Sequence, residues 1–154
     1  ISTGKLLAGN IGSKRRLSYT ILGDDINLAS RLEGVNKVYK SDTLVNETTA
    51  KACGPGIHFR EVDIVRVKGR NAPVRIFQPL DGKGDFPALS DDDLEQFARG
   101  LALFREGRFG EATALFDATA DRDPVAGTFA ERAREMQADP PPAGWDGINT
   151  LLSK

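Results

Sequence analysis

The chain has 154 residues, 40% of them hydrophobic, which is enough for one or two small domains around a modest core. Its 21 Lys and Arg side chains are balanced by 22 Asp and Glu, a net charge of −1 that excludes the broad basic field of a nucleic-acid binder. A single cysteine, Cys53, excludes an internal disulfide, and with the single histidine, His58, it makes a poor metal-ligand set.

Residues 1–13 combine apolar side chains with Gly4, Gly9 and Gly12, the composition of a strand or bend that lets backbone approach backbone or ligand, or simply pack tightly. The basic run Lys14-Arg15-Arg16 reads as the tip of a hairpin, and Leu17–Leu22 as its returning strand. After a turn at Gly23, a central helix is predicted from about Asp25 to Val38, capped by Asp24 or Asp25 and carrying an apolar stripe at Ile26, Ala29 and Leu32. Asn27 and Arg31 are four apart and therefore share a face near its first turn, where the helix dipole favours anions. An amide beside a guanidinium offers several donors and one permanent charge to a group gaining negative charge, as in phosphoryl transfer. The same spacing also fits a solvated face with a weak surface pair.

Tyr39 reads as a packing aromatic before the polar break Lys40-Ser-Asp42. Thr43–Val45 is β-prone, and Asn46 caps a short helix through Ala50 that ends near Gly54-Pro-Gly56. Cys53 is expected to pack as a small hydrophobe and His58 to sit at a strand edge. Phe59–Lys68 reads as a strand with a bulge, joined by a turn at Gly69–Asn71 to a returning strand at Val74–Phe77. Lys68, at a strand end beside a glycine, can extend its ammonium to a phosphate or act as a solvated gatekeeper.

Beyond Leu80 the composition shifts to a linker over residues 81–92, with Ser90 positioned to cap the next helix. Within the helical region at residues 93–138, Gly100, Leu103, Gly107, Phe109, Ala112, Phe116 and Pro124 fall at the intervals of one tetratricopeptide-like repeat, and a third helix comes after it over Ala126–Ala138. One repeat cannot bury its own apolar faces, so it is expected to dock on the first half of the chain or on another protein. In the proline-rich tail, 139–154, Trp145 is expected to anchor against these helices and Ile148–Leu152 to add a last half-turn.

The run from Tyr19 to Glu33, Tyr-Thr-Ile-Leu-Gly-Asp-Asp-Ile-Asn-Leu-Ala-Ser-Arg-Leu-Glu, with Gly9-Asn-Ile-Gly-Ser13 before it and Val67-Lys-Gly69 after it, resembles the class III nucleotidyl cyclases. The likeness covers residues 1–80 and corresponds to the second half of that family's catalytic domain. It implies an α+β fold, the second half of a ferredoxin-like domain with a mixed or antiparallel sheet and helices, here followed by a small all-α hairpin. It also implies a homodimer, because the family builds each site from two protomers and makes cyclic AMP or cyclic GMP there.

Carried over by position, the resemblance implies that Asn27 orients the ribose and that Arg31 stabilises charge on the α-phosphate. Lys68 and Arg16 would contact the outer phosphates, and Thr20 the purine edge. A threonine there resembles adenylyl cyclases, so ATP is favoured over GTP. The family's Mg or Mn ligands, two aspartates, and its purine-reading lysine lie upstream of the matched region, and Asp24 and Asp25 are misplaced to substitute. The chain is therefore expected to be a piece of a longer protein and not to cyclise alone. The competing reading is a degenerate regulatory module whose helices bind a protein partner; intact Asn27 and Arg31 speak against it. No apolar run reaches the roughly 20 residues of a membrane span, so this chain is expected in the cytoplasm, with any membrane anchor of the parent upstream.

Overall fold

The computed structural model describes residues 1–13, 16–67, 72–80 and 89–151. Lys14 and Arg15 at the first hairpin tip, Lys68, the 69–71 turn, residues 81–88 of the expected linker and Leu152 lie outside the described residues.

The chain opens with an antiparallel ribbon of β1 (Leu7–Ser13) and β2 (Arg16–Leu22), in register from Leu7 opposite Leu22 to Ser13 opposite Arg16. The helix α1 (Asp24–Tyr39) comes next and buries Leu28, Leu32, Val35 and Tyr39, a three-and-four spacing that turns one stripe inward. The stripe is rotated from the expected one, since Ile26 and Ala29 are only half-buried. The expected aspartate cap is also corrected. Gly23 is the N-cap without a side-chain hydrogen bond, and Asp24 and Asp25 occupy the first turn, where their charge suits the dipole. Lys40, in the left-handed region at φ 51, ends the helix.

Beyond it lie β3 (Val45–Asn46) and α2 (Glu47–Ala52), whose N-cap Asn46 accepts the Thr49 amide hydrogen at 3.0 Å. A 3₁₀ turn at Gly54–Gly56 closes this segment. Cys53 is exposed at the end of α2 rather than packed, because neither α2 nor the glycine turn turns that position inward. The strands β4 (Phe59–Val67) and β5 (Val74–Pro79) pair antiparallel, and β3 adds to the far side of β5. A bulge between Glu61 and Asp63 puts both Val62 and Asp63 at 0% exposure, so a carboxylate enters the core.

The second half consists of α3 (Asp91–Arg105), α4 (Phe109–Asp117) and α5 (Pro124–Ala138). Ser90 and Asp93 form a reciprocal capping box at the start of α3. Gly107, at φ 77, makes the turn into α4, and a Cβ on Gly100 would meet the Phe116 ring at 2.8 Å, so the smallest residue sets how closely α3 and α4 approach. Phe97, Phe104, Phe116 and Phe129 are fully buried, and their core is continuous with Val62, Val65 and Ile76 of the sheet. Trp145 anchors the tail as expected, with ring centroids 5.7 Å from Phe104 and 5.6 Å from Phe109. The end of the tail departs from expectation. It forms the strand β6 (Asn149–Leu151), parallel to β4 at Val65–Val67, because the free edge of β4 offers backbone partners that an isolated half-turn lacks. The sheet order is thus β3-β5-β4-β6.

Arg60 of β4 ties the sheet to the helices. Its guanidinium reaches both oxygens of Asp123 at 2.5 and 2.7 Å, donates to Gln78 at 2.7 and 2.9 Å, and lies 4.8 Å from the Phe97 ring centroid. Asp123 also caps α5 by accepting the Val125 amide hydrogen at 3.1 Å. Removing one member would strand a buried charge, so Asp123→Ala should lower unfolding free energy by about 3–5 kcal/mol in urea titration. A second test concerns Asp93, whose carboxyl is held well below the usual carboxylate range by Arg122 and then by Ser90. A depressed value adds stability that is present above the unfolded value and lost as pH falls through the folded one. Asp93→Asn should therefore lower the melting temperature near neutral pH, and its gap to the parent should narrow progressively below about pH 4.

Candidate active site

The candidate site is set by the junction of β2 and α1. Gly23 is extended, and its requirement comes from crowding: a Cβ there would lie 2.8 Å from the Lys5 carbonyl oxygen and 3.3 Å from Leu6 Cα. Its own carbonyl accepts the amide hydrogens of Ile26 at 3.2 Å and Asn27 at 3.3 Å, which starts the helix. Asp25 bends back to accept the Lys5 amide hydrogen at 3.1 Å, so this carboxylate ties the N-terminal segment to α1.

On the first turns of α1 the structure brings together Asn27 and Arg31. Asn27 is exposed and Arg31 half-buried, and neither side chain makes a hydrogen bond or ion pair to another described residue. The weak surface pair that the spacing also allowed is therefore not made, and an amide and a guanidinium stand open to an incoming anion. Thr20 lies on β2 directly opposite Gly9, where a Cβ would meet nothing within 4 Å, so the ribbon leaves space across from the threonine hydroxyl. No hydrogen bond joins Thr20 to Asn27 or Arg31. Arg16 begins β2 opposite Ser13 at the far end of the ribbon, and Lys68 lies outside the described residues.

Among the described residues no group of three or more His, Cys, Asp or Glu side chains is placed to hold a metal ion. The two most buried of the described aspartates are taken by arginines: Asp123 by Arg60, and Asp63 by Arg132 at 2.9 Å. The described residues therefore do not form a divalent-cation site.

The sequence reading missed what happens at the other end of α1. The Tyr39 hydroxyl donates to Asp63 Oδ2 at 2.5 Å and accepts from Asn149 Nδ2 at 2.9 Å, while Arg105 joins Glu61 at 2.7 Å and approaches Asp63 at 3.8 Å. The signal in the sequence was an aspartate in the apolar run Val62-Asp63-Ile64-Val65, since a carboxylate at a bulge inside a core strand requires buried partners.

The sequence profile of the adenylate and guanylate cyclase catalytic domain matches residues 1–78. Over 120 residues the chain is 37% identical to the terminal-differentiation specific adenylate cyclase of Dictyostelium discoideum, covering 75% of this chain and 6% of that protein. It is 38% identical over 78 residues to adenylate cyclase 1 of Rhizobium meliloti (strain 1021), covering 51% of this chain and 12% of that one. The crystal structure of the adenylyl cyclase CyaB from P. aeruginosa aligns with 35% identity and a TM-score of 0.44, over 56% of this chain and 43% of that chain. The chain thus spans a small part of the length of the curated relatives it matches. The Dictyostelium stretch is longer than the region matched by the profile, so likeness continues into the helices.

Because Asn27 and Arg31 support no other described side chain, Asn27→Ala and Arg31→Ala should each change unfolding free energy by no more than about 0.5 kcal/mol, measured by urea denaturation.

Proposed function

The chain belongs to the adenylate and guanylate cyclase catalytic domain family, and from that membership we propose that it forms the second half of an adenylate cyclase catalytic domain. The reaction is conversion of ATP to 3′,5′-cyclic AMP and pyrophosphate at a dimer interface. The observation that carries this reading is the pairing of Asn27 and Arg31, four apart on α1, with side chains that make no hydrogen bond or ion pair to another described residue.

In cyclisation the ribose 3′-hydroxyl attacks the α-phosphorus and the bond to the pyrophosphate oxygen breaks, so negative charge grows on the α-phosphate and the leaving group. Asn27 holds the ribose in line for attack, which removes orientational freedom from the step. Arg31 donates to the α-phosphate oxygens as their charge rises. Arg16 and Lys68 hold the outer phosphates, and the Thr20 hydroxyl reads the purine edge, with ATP preferred over GTP. The relatives named adenylate cyclase support the same preference. Divalent magnesium or manganese supplies charge neutralisation in such chemistry, and its ligands are assigned to a segment other than the residues described here.

The ribbon supports incorporation into a larger assembly. Leu7, Leu17 and Tyr19 are 67%, 61% and 74% exposed, and a two-stranded ribbon is marginal by itself. We assign it to the completed sheet of the domain and to a homodimer. No helix among the described residues is long and apolar enough to cross a membrane; the cytoplasmic place of this half, with any anchor elsewhere in the parent, is part of the proposal. The tetratricopeptide-like reading of α3 and α4 rests on residue spacing and on the Gly100 to Phe116 approach. Their apolar faces are occupied by each other, by Phe129 of α5 and by Trp145, in a core continuous with the sheet, so capture of a separate protein partner is the weaker role.

The test is cyclic nucleotide formation from ATP and from GTP, with manganese, by the complete catalytic domain containing these residues. Product should come from ATP, and Asn27→Ala and Arg31→Ala should each lower kcat on the order of 10²–10³-fold, the usual effect of removing a transition-state donor. A folded dimer that makes no product from either nucleotide, or variants that retain full activity, would overturn the proposal; product from GTP alone would reassign the substrate.

A further inference from the structure

The helix α1 leaves Asn27 and Arg31 open near its start and is fixed at its last residue. Tyr39 is 0% exposed, with its ring 5.8 Å from that of Phe129 on α5. Its hydroxyl joins Asp63 of β4 and Asn149 of β6. Asp63 receives Arg132 of α5, and its other oxygen accepts the Ile64 amide hydrogen at 2.8 Å. Arg132 is held over the rings of Phe104 and Phe129, 4.9 and 5.4 Å from their centroids. With Arg105 of α3 3.8 Å from Asp63, five elements, α1, α3, α5, β4 and β6, thus converge on the hydrogen-bonded pair Tyr39 and Asp63.

Stability alone does not account for this arrangement. A buried ion set loses in desolvation much of what it gains in attraction, and apolar residues of similar volume often serve as well. Two buried donors here, Arg105 Nε and Arg132 Nη2, have no hydrogen-bond partner among the described residues, a further cost. What the set supplies is direction. A ring in an apolar pocket tolerates small rotations, whereas a hydroxyl that donates to one fixed group and accepts from another does not. Burial and the neighbouring Asp63 charge push the Tyr39 hydroxyl far above the usual phenol range, so it remains a donor. At the roughly 6 Å radius of a helix with its side chains, a turn of about 10° moves a side-chain tip by about 1 Å. A misplacement of that size costs on the order of 10²-fold in rate when it affects a group acting on the transition state.

We propose that Tyr39 is a positioning residue for cyclisation, through which α5 and the β6 tail hold α1 at the rotation that presents Asn27 and Arg31 to the nucleotide. The role rests on the cyclase reading proposed for the site. It gives the helical region a function in the reaction itself: the helices and tail set the geometry of a site they do not touch.

The test is a kinetic cycle in the complete catalytic domain with its helices and tail, crossing Tyr39→Phe with Arg31→Ala. Tyr39→Phe keeps the ring and should lower kcat on the order of 10-fold with KM for ATP within about twofold. In the Arg31→Ala background the same change should cost markedly less than in the parent, because one of the two groups being positioned is gone and only Asn27 remains to be misplaced. Asn149→Ala, which removes only the bond that the hydroxyl accepts, should reproduce a smaller loss of the same kind and covers the case in which Tyr39→Phe fails to fold. An unchanged kcat, or an equal loss in both Arg31 backgrounds, overturns the positioning role while leaving the cyclase reading standing. A parent that makes no cyclic nucleotide overturns both.

Discussion

The carboxylate of Asp63 is the constraint on which most of this structure depends. A bulge in β4 turns it inward to 0% exposure, and an ionised carboxylate at such a site must be met by donors and positive charge. Those come from Tyr39 at the end of α1, Arg132 on α5 and the Ile64 amide, with Arg105 of α3 close by. Sequence separations of 24 and 69 residues for the first two contacts mean that the carboxylate can be satisfied only when the sheet, α1 and α5 are assembled together.

The second link between the two halves, Arg60 with Asp123, works in a different way. It is a two-pronged pair whose carboxylate also caps α5, so it sets where that helix begins. One link therefore fixes the start of α5 against β4, and the other fixes its middle against α1. Around them the phenylalanines supply the apolar burial, with Gly100 allowing Phe116 to approach α3. The helical region is accordingly continuous with the core of the sheet, and its tail completes that sheet as β6.

The first ribbon contrasts with this consolidated part. It projects large apolar side chains into solvent and meets the rest of the chain chiefly through the Lys5 and Asp25 contact and the tight passage at Gly23. The proposed nucleotide contacts are divided between the two regimes. Thr20 and Arg16 lie on the ribbon, whereas Asn27 and Arg31 lie on a helix whose far end is locked by one buried and one partly buried hydrogen bond. Groups that act on the transition state need the tighter placement, because their contribution falls steeply with displacement.

Local chemistry by itself determined the elements: Asn46 and Ser90 as caps, Gly107 as a turn, the bulged strand through Val62 and Val65, and the helical face shared by Asn27 and Arg31. These rest on residues a few positions apart, so spacing and propensity suffice to read them. Tertiary structure alone decided which stripe of α1 faces inward, that Asp25 would bind the Lys5 amide instead of capping the helix, and that Asn149–Leu151 would pair as a strand. It also turned Tyr39 from a packing ring into a hydrogen-bonded anchor. Each of these outcomes depends on a partner between 20 and 110 residues away, and the free energy of meeting a distant donor or strand edge is not written in the local pattern.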